Sequence, residues 1–134
     1  MPSASTQVVE QFYSAVAAGD VPAALAILGE HVEWHEAPGM PYRAERPYRG
    51  ATEVAERVLG PINTDVDALA LEVRELLDLG RDIAVVGRYA GTASASGRPI
   101  DQPFLHIWTR GPDGGVERFR QYTDTERFAA ALSV

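Results

Sequence analysis

The character of this chain changes near residue 66, from mainly helical to mainly strand-like, and that switch limits what it can fold into. Before it, apolar residues recur at helical spacing. In "STQVVEQFYSAVAAGD" Val9, Phe12, Tyr13 and Val16 fall at i, i+3, i+4 and i+7, one side of an amphipathic helix. Gly19 ends that helix, and Asp20 is placed to cap a second, short one with Pro22 in its first turn and Ala24, Leu25 and Leu28 within it. "HVEWHE" alternates as a strand does, "APGMPYRAERPYRG" carries the prolines and glycines of a loop, and "ATEVAERVL" is a third helix with Val54 and Val58 on one side. After the switch come four strand-like runs: "DALALEVRELLDLG", "RDIAVVGRYAGTAS", "IDQPFLHIWTR" and "GVERFRQYTD". Ser96-Gly97 and Gly111 to Gly114 supply turns. A last helix, "TERFAAAL", starts behind Thr123 or Asp124, with Thr123 and Glu126 at the spacing of a capping box. Helices followed by a meander predict an α+β fold, an antiparallel sheet curling over the helices, in one domain spanning 1–134.

Composition removes several chemistries. The 134 residues include no cysteine, which excludes disulfides and thiolate catalysis, and no lysine, which excludes Schiff bases and a P-loop. A net charge of −7 argues against nucleic acid as a partner. No apolar run approaches the roughly 20 residues of a membrane span. The N-terminus lacks the basic and apolar segments of a secretory signal, so a cytoplasmic protein is expected.

Alternation then sorts the chemically active residues. In "EWHEAPG", Val32, Trp34 and Glu36 share one face of the strand; His31, Glu33 and His35 share the other. His31 and His35 would lie about 13 Å apart along a strand, too far for one zinc ion with ligands about 2 Å away. They read as rim histidines, and no metal site is expected. Glu36 ends an apolar strip, where desolvation would raise its pKa toward that of a neutral-pH acid or base. The other reading solvates Glu36 at a mouth or pairs it with an arginine. In "PFLHIWTR", Phe104, His106 and Trp108 share a face, and on the last strand Phe119, Gln121 and Thr123 do so. Arg118 and Arg120 take the opposite, outer face, as solvated charges or a contact between copies.

"FYSAVAAGDVPAALAIL", "VEWHEAPG", "PYRG" opening a helix and "FLHIWTRGPDGGVERFRQYTDT" together resemble the SnoaL-like and ketosteroid-isomerase-like proteins of the nuclear transport factor 2-like superfamily, over about residues 6–132. The resemblance implies a cystatin-like cone: a strongly bent antiparallel sheet around the N-terminal helix, with three further short helices and an apolar pocket open at one end. It also implies a homodimer through the outer sheet face. Counted from Gly19-Asp20, the position of the isomerase base is Glu36. His106 stands where those enzymes carry a protonated aspartate, and Phe12 where they carry the oxyanion-hole tyrosine. Tyr13 is adjacent to Phe12 but points about 100° away around the helix.

The enzyme expectation is therefore a small, mostly apolar carbonyl compound stacked on Trp34, Trp108 and Phe119. Glu36 removes a proton α to the carbonyl, and His106, helped by Gln121 or Tyr13, donates to the enolate oxygen. A variant gives the proton transfer to His106, with Glu36 orienting it. Phe12, Tyr42 and Thr123 complete the expected lining, and no cofactor is required. The alternative is a ligand-binding or structural dimer in which Glu36 and His106 contact each other directly, or side chains such as Tyr42 or Trp34 fill the pocket.

Overall fold

Helix α1 (Ala4–Ala17) forms where the period predicts it, in a computed structural model that describes residues 4–134. Val9, Phe12 and Tyr13 are buried along its inner side. The helix stops at Gly19, whose φ of 71° lies in the left-handed region that favours glycine. The Asp20 side chain then accepts a hydrogen bond from the Ala23 N–H at 3.2 Å and caps α2 (Val21–Leu28).

Strands β1 (Glu33–His35) and β2 (Tyr48–Arg49) are short and antiparallel to each other. A continuous helical run follows: α3 (Gly50–Val54), a π-helical turn (Ala55–Leu59) and α4 (Gly60–Asp65). This run passes the end of the third helix expected from sequence by going through Pro61, which has no N–H and whose ring clashes with an α-helical carbonyl. The π turn widens the backbone just before it, with the Gly60 N–H reaching back five residues to the Ala55 carbonyl.

The long strands β3 (Val66–Asp78), β4 (Asp82–Ala93), β5 (Pro99–Arg110) and β6 (Val116–Thr123) form the antiparallel meander. The six-stranded sheet has the order β2-β1-β6-β5-β4-β3, and the β1–β6 pair is parallel. Register shifts at Asp67/Ala70 and Val73/Glu75 put bulges into β3, the first containing Ala68 at φ 54°. Such bulges bend a strand and add twist, which curves the sheet. The architecture is the expected α+β arrangement, with a curved open sheet over the helices.

Helix α5 (Thr125–Leu132) corrects one expectation. Its cap is Asp124, whose carboxylate accepts from the Arg127 N–H at 3.0 Å. Thr123 is drawn into β6 instead, its hydroxyl donating to the Pro103 carbonyl at 2.8 Å. Among the described residues no helix is long and apolar enough to cross a membrane.

The inner face of the sheet is aromatic. Phe12 packs edge-on against Trp108 with centroids 4.9 Å apart, and Trp34 stacks on Phe119 at 3.8 Å. Phe104 stacks on His106 at 4.0 Å, in space left by Gly87 across the β4–β5 pair. A Cβ on Gly87 would come within 2.5 Å of the Phe104 ring and 2.4 Å of the Glu72 carbonyl. Gly87→Ala is therefore expected to lower stability by about 1–3 kcal/mol through overpacking, read as a lower urea midpoint with an unchanged m-value.

Candidate functional site

A cavity of about 200 Å³ lies between the inner face of the sheet and the helices. Phe12 and Val16 of α1, Ala24 of α2, and Val58, Leu59 and Ile62 of the π turn and α4 supply its apolar wall. Leu69 and Leu71 of β3 close another side, and Trp34 and Phe119 line it from β1 and β6. Exposed Gly19, Val21 and Asn63 also border it and mark its outer end. The volume falls below the roughly 300–1,000 Å³ usual for drug-sized ligands, so it suits a small compound. Deeper polar groups come from Glu36, Tyr89, His106 and Gln121.

Strand alternation delivers Glu36 as expected: Val32, Trp34 and Glu36 are all buried, whereas His31 is exposed and His35 meets Glu33 at 2.6 Å on the outer side. Among the described residues the Glu36 Oε2 is buried without a hydrogen-bond partner. Burial raises the carboxyl pKa to about 7, opposed by the nearby Trp34 indole N–H, which itself lies outside hydrogen-bonding geometry. Glu36 also borders a smaller cavity of about 140 Å³ beneath the segment 43–48, with Arg43 and Tyr48 on its wall.

His106 is placed quite differently. Its Nδ1 lies 2.6 Å from the Tyr13 hydroxyl and its Nε2 2.6 Å from the Tyr89 hydroxyl. The Trp108 indole donates to Tyr13 at 2.9 Å, and the Gln121 amide donates to Tyr89 at 2.9 Å. The Gln121 carbonyl oxygen accepts from the Ala37 N–H at 3.0 Å. Burial pushes the imidazole pKa down to about 3, so the ring is neutral.

Of the expected site residues, the cavity brings together Phe12, Trp34, Glu36, His106, Phe119 and Gln121. Four others lie outside its lining. Tyr13 turns to His106, and Trp108, with no exposed surface, packs behind it among Phe12, Tyr13 and Phe119. Tyr42 donates to Asp65 at 2.9 Å and packs on Phe128; Thr123 bonds across to Pro103. Direct donation from His106 to a ligand is also corrected, since both ring nitrogens are engaged by phenols. Glu36 and His106 share no hydrogen bond, and neither Tyr42 nor a Glu36–His106 contact closes the space. Tyr89 was missed in the sequence, although it lies on the same side of its strand as Ile83 and Val85, three and two alternations away. Among the described residues no three His, Cys, Asp or Glu side chains converge as a metal-binding cluster.

Residues 9–119 match the family model of the SnoaL-like domain. The chain belongs to the SnoaL-like family. No curated protein matches its sequence. Among solved structures, this SnoaL-like protein is similar to a nuclear transport factor 2-like protein of Burkholderia thailandensis, with 28% identity over 99% of this chain and 100% of the other and a TM-score of 0.90. A protein of the same kind and of unknown function from Burkholderia pseudomallei is 27% identical over 99% and 100% of the two chains, with a TM-score of 0.88. TerC, co-crystallised with polyporic acid, shares the fold at 24% identity, 97% and 98% coverage and a TM-score of 0.84.

The raised Glu36 pKa has a consequence for stability. Its value lies near 7 folded against 4.5 for the free side chain, so the unfolded chain releases this proton first as pH rises. Stability is lost between about pH 4.5 and 7 by about 3 kcal/mol and is level above that. Urea midpoints of wild type and Glu36→Gln across pH 4 to 8 should show the variant gaining relative stability over that window. A pH-independent difference would place the carboxyl in water.

Proposed function

We propose that this SnoaL-like protein binds a small, mostly apolar carbonyl compound in the 200 Å³ cavity and catalyses acid–base chemistry on it through an enolate. The observation that carries the reading is the Glu36 carboxyl: buried, unpaired, bordering an apolar cavity, and with a pKa brought up to about 7. A base poised there is half-ionised at neutral pH and is a stronger base than a solvated carboxylate.

In the proposed reaction the Glu36 carboxylate takes the proton from the carbon α to the carbonyl. The C–H electron pair becomes the enolate double bond, and negative charge moves to oxygen, where a hydrogen-bond donor of the cavity wall stabilises it. The protonated Glu36 then returns its proton to a different carbon, which gives isomerisation. Where the compound carries a second carbonyl, the enolate carbon attacks that carbon instead, a bond closes the ring, and the new alkoxide is protonated. Trp34 and Phe119 offer stacked aromatic surface for the substrate body.

A ligand-binding reading keeps the same cavity without chemistry. It is favoured by the commitment of both His106 nitrogens to partners within the protein.

Exchange of α-protons for deuterium in a panel of small ketones and β-diketones, followed by proton NMR, separates the two. The rate should rise with pH and level off above about pH 7 as Glu36 ionises. Glu36→Gln should lower it by about 100-fold or more, the scale of a lost general base. Exchange no faster than in buffer across the panel, or untouched by Glu36→Gln, would leave binding as the function.

A further inference from the structure

The protons of the buried polar relay can be placed one by one, because nearly every group in it has a single possible role. Gln121 accepts from the Ala37 N–H, a donor only, so its oxygen faces Ala37 and its NH₂ group faces Tyr89. The Trp108 N–H is likewise a donor only, so the Tyr13 oxygen accepts from it. Tyr13 is buried, lies outside the cavity lining, and among the described residues hydrogen-bonds to one further polar atom, His106 Nδ1. Its hydroxyl proton therefore goes to Nδ1. The reverse arrangement would set two donors on the Tyr13 oxygen and strand a buried proton, which costs about 1–3 kcal/mol. A doubly protonated ring would strand the same proton.

With Nδ1 accepting, the imidazole proton sits on Nε2 and is donated to the Tyr89 oxygen. That oxygen also accepts from Gln121. Both of its lone pairs are then occupied, and its own O–H has no acceptor among the protein groups it meets. Tyr89, His106 and Gln121 all line the cavity. Burial, and after it the nearby Glu36 charge, raise the Tyr89 pKa, which keeps the phenol protonated.

We propose that the Tyr89 hydroxyl is the donor that binds the ligand's oxygen, and that the site selects compounds presenting a carbonyl, enolate or phenolate oxygen to it. Tyr89 is then the catalytic residue at that oxygen. His106 and Gln121 are positioning residues that orient its proton and, by donating to its oxygen, sharpen it as a donor, and Tyr13 positions through His106 by donating to Nδ1. The inference rests on the cavity being the ligand site; it does not require that Glu36 transfer a proton.

Two measurements test it. On wild-type protein with ¹⁵N-labelled histidine at neutral pH, long-range NMR correlations should show His106 protonated at Nε2 and bare at Nδ1. Titration with halogenated phenols of graded acidity, read from intrinsic tryptophan fluorescence, should show affinity rising with acidity. Tyr89→Phe should weaken the most acidic phenol about tenfold or more, as for a hydrogen bond to a charged partner, and flatten the dependence. A proton on Nδ1, or an unchanged slope in Tyr89→Phe, overturns the assignment. If tautomer and slope hold while ketone exchange is absent, Tyr89 stands as the ligand donor and the catalytic reading alone falls.

Discussion

A neutral imidazole fixed between two phenols is the interaction on which the interior depends. Through His106 it joins Tyr13 of α1 to Tyr89 of β4, and through Gln121 of β6 it reaches the backbone of Ala37. Polar groups this deep are costly when unpaired and rigid when fully paired. Among the described residues every nitrogen and oxygen of the relay's side chains has a hydrogen-bond partner. The relay thereby sets the position of the N-terminal helix on the sheet and the shape of the cavity wall together.

Glu36 is the counterpart, a buried polar group left unsatisfied. Its neighbour Ala37 is held by the same Gln121 amide that donates to Tyr89, so one side chain positions both the carboxyl-bearing segment and the phenol. The cost of drying the carboxyl appears as its raised pKa, and the surrounding aromatic packing sustains it. Among the described residues the Trp34 indole N–H beside it is also without a partner, so two unsatisfied polar atoms gather where the carboxyl meets the cavity, the kind of place where a fold departs from its own rules for function.

Much of this was legible before the structure. Periodicity gave α1 and α2, and alternation separated buried Glu36 from the outer His35, because a strand's side-chain period leaves no freedom once one face is apolar. The same rule put Phe104, His106 and Trp108 on one inner face. It could not say which of them meet the cavity, since Trp108 and Tyr13 are inward yet covered by other inward rings. Tyr89 needed the β4–β5 register, in which it pairs with Gln102 rather than His106, and that offset depends on hairpin geometry. The π turn and the passage through Pro61 were hidden for a similar reason. A proline reads as a helix end unless a local widening carries the chain past it.

The central claim is that Glu36 is held dry and neutral-poised beside a rigid, neutral relay. A carbon-detected NMR titration of protein labelled at the glutamate carboxyl carbon tests it most directly, with Glu36→Gln to assign the signal. The account predicts one glutamate titrating near pH 7, absent in the variant. If every glutamate carboxyl, Glu36 included, titrates in the ordinary range near pH 4.3, Glu36 is solvated and the account is contradicted.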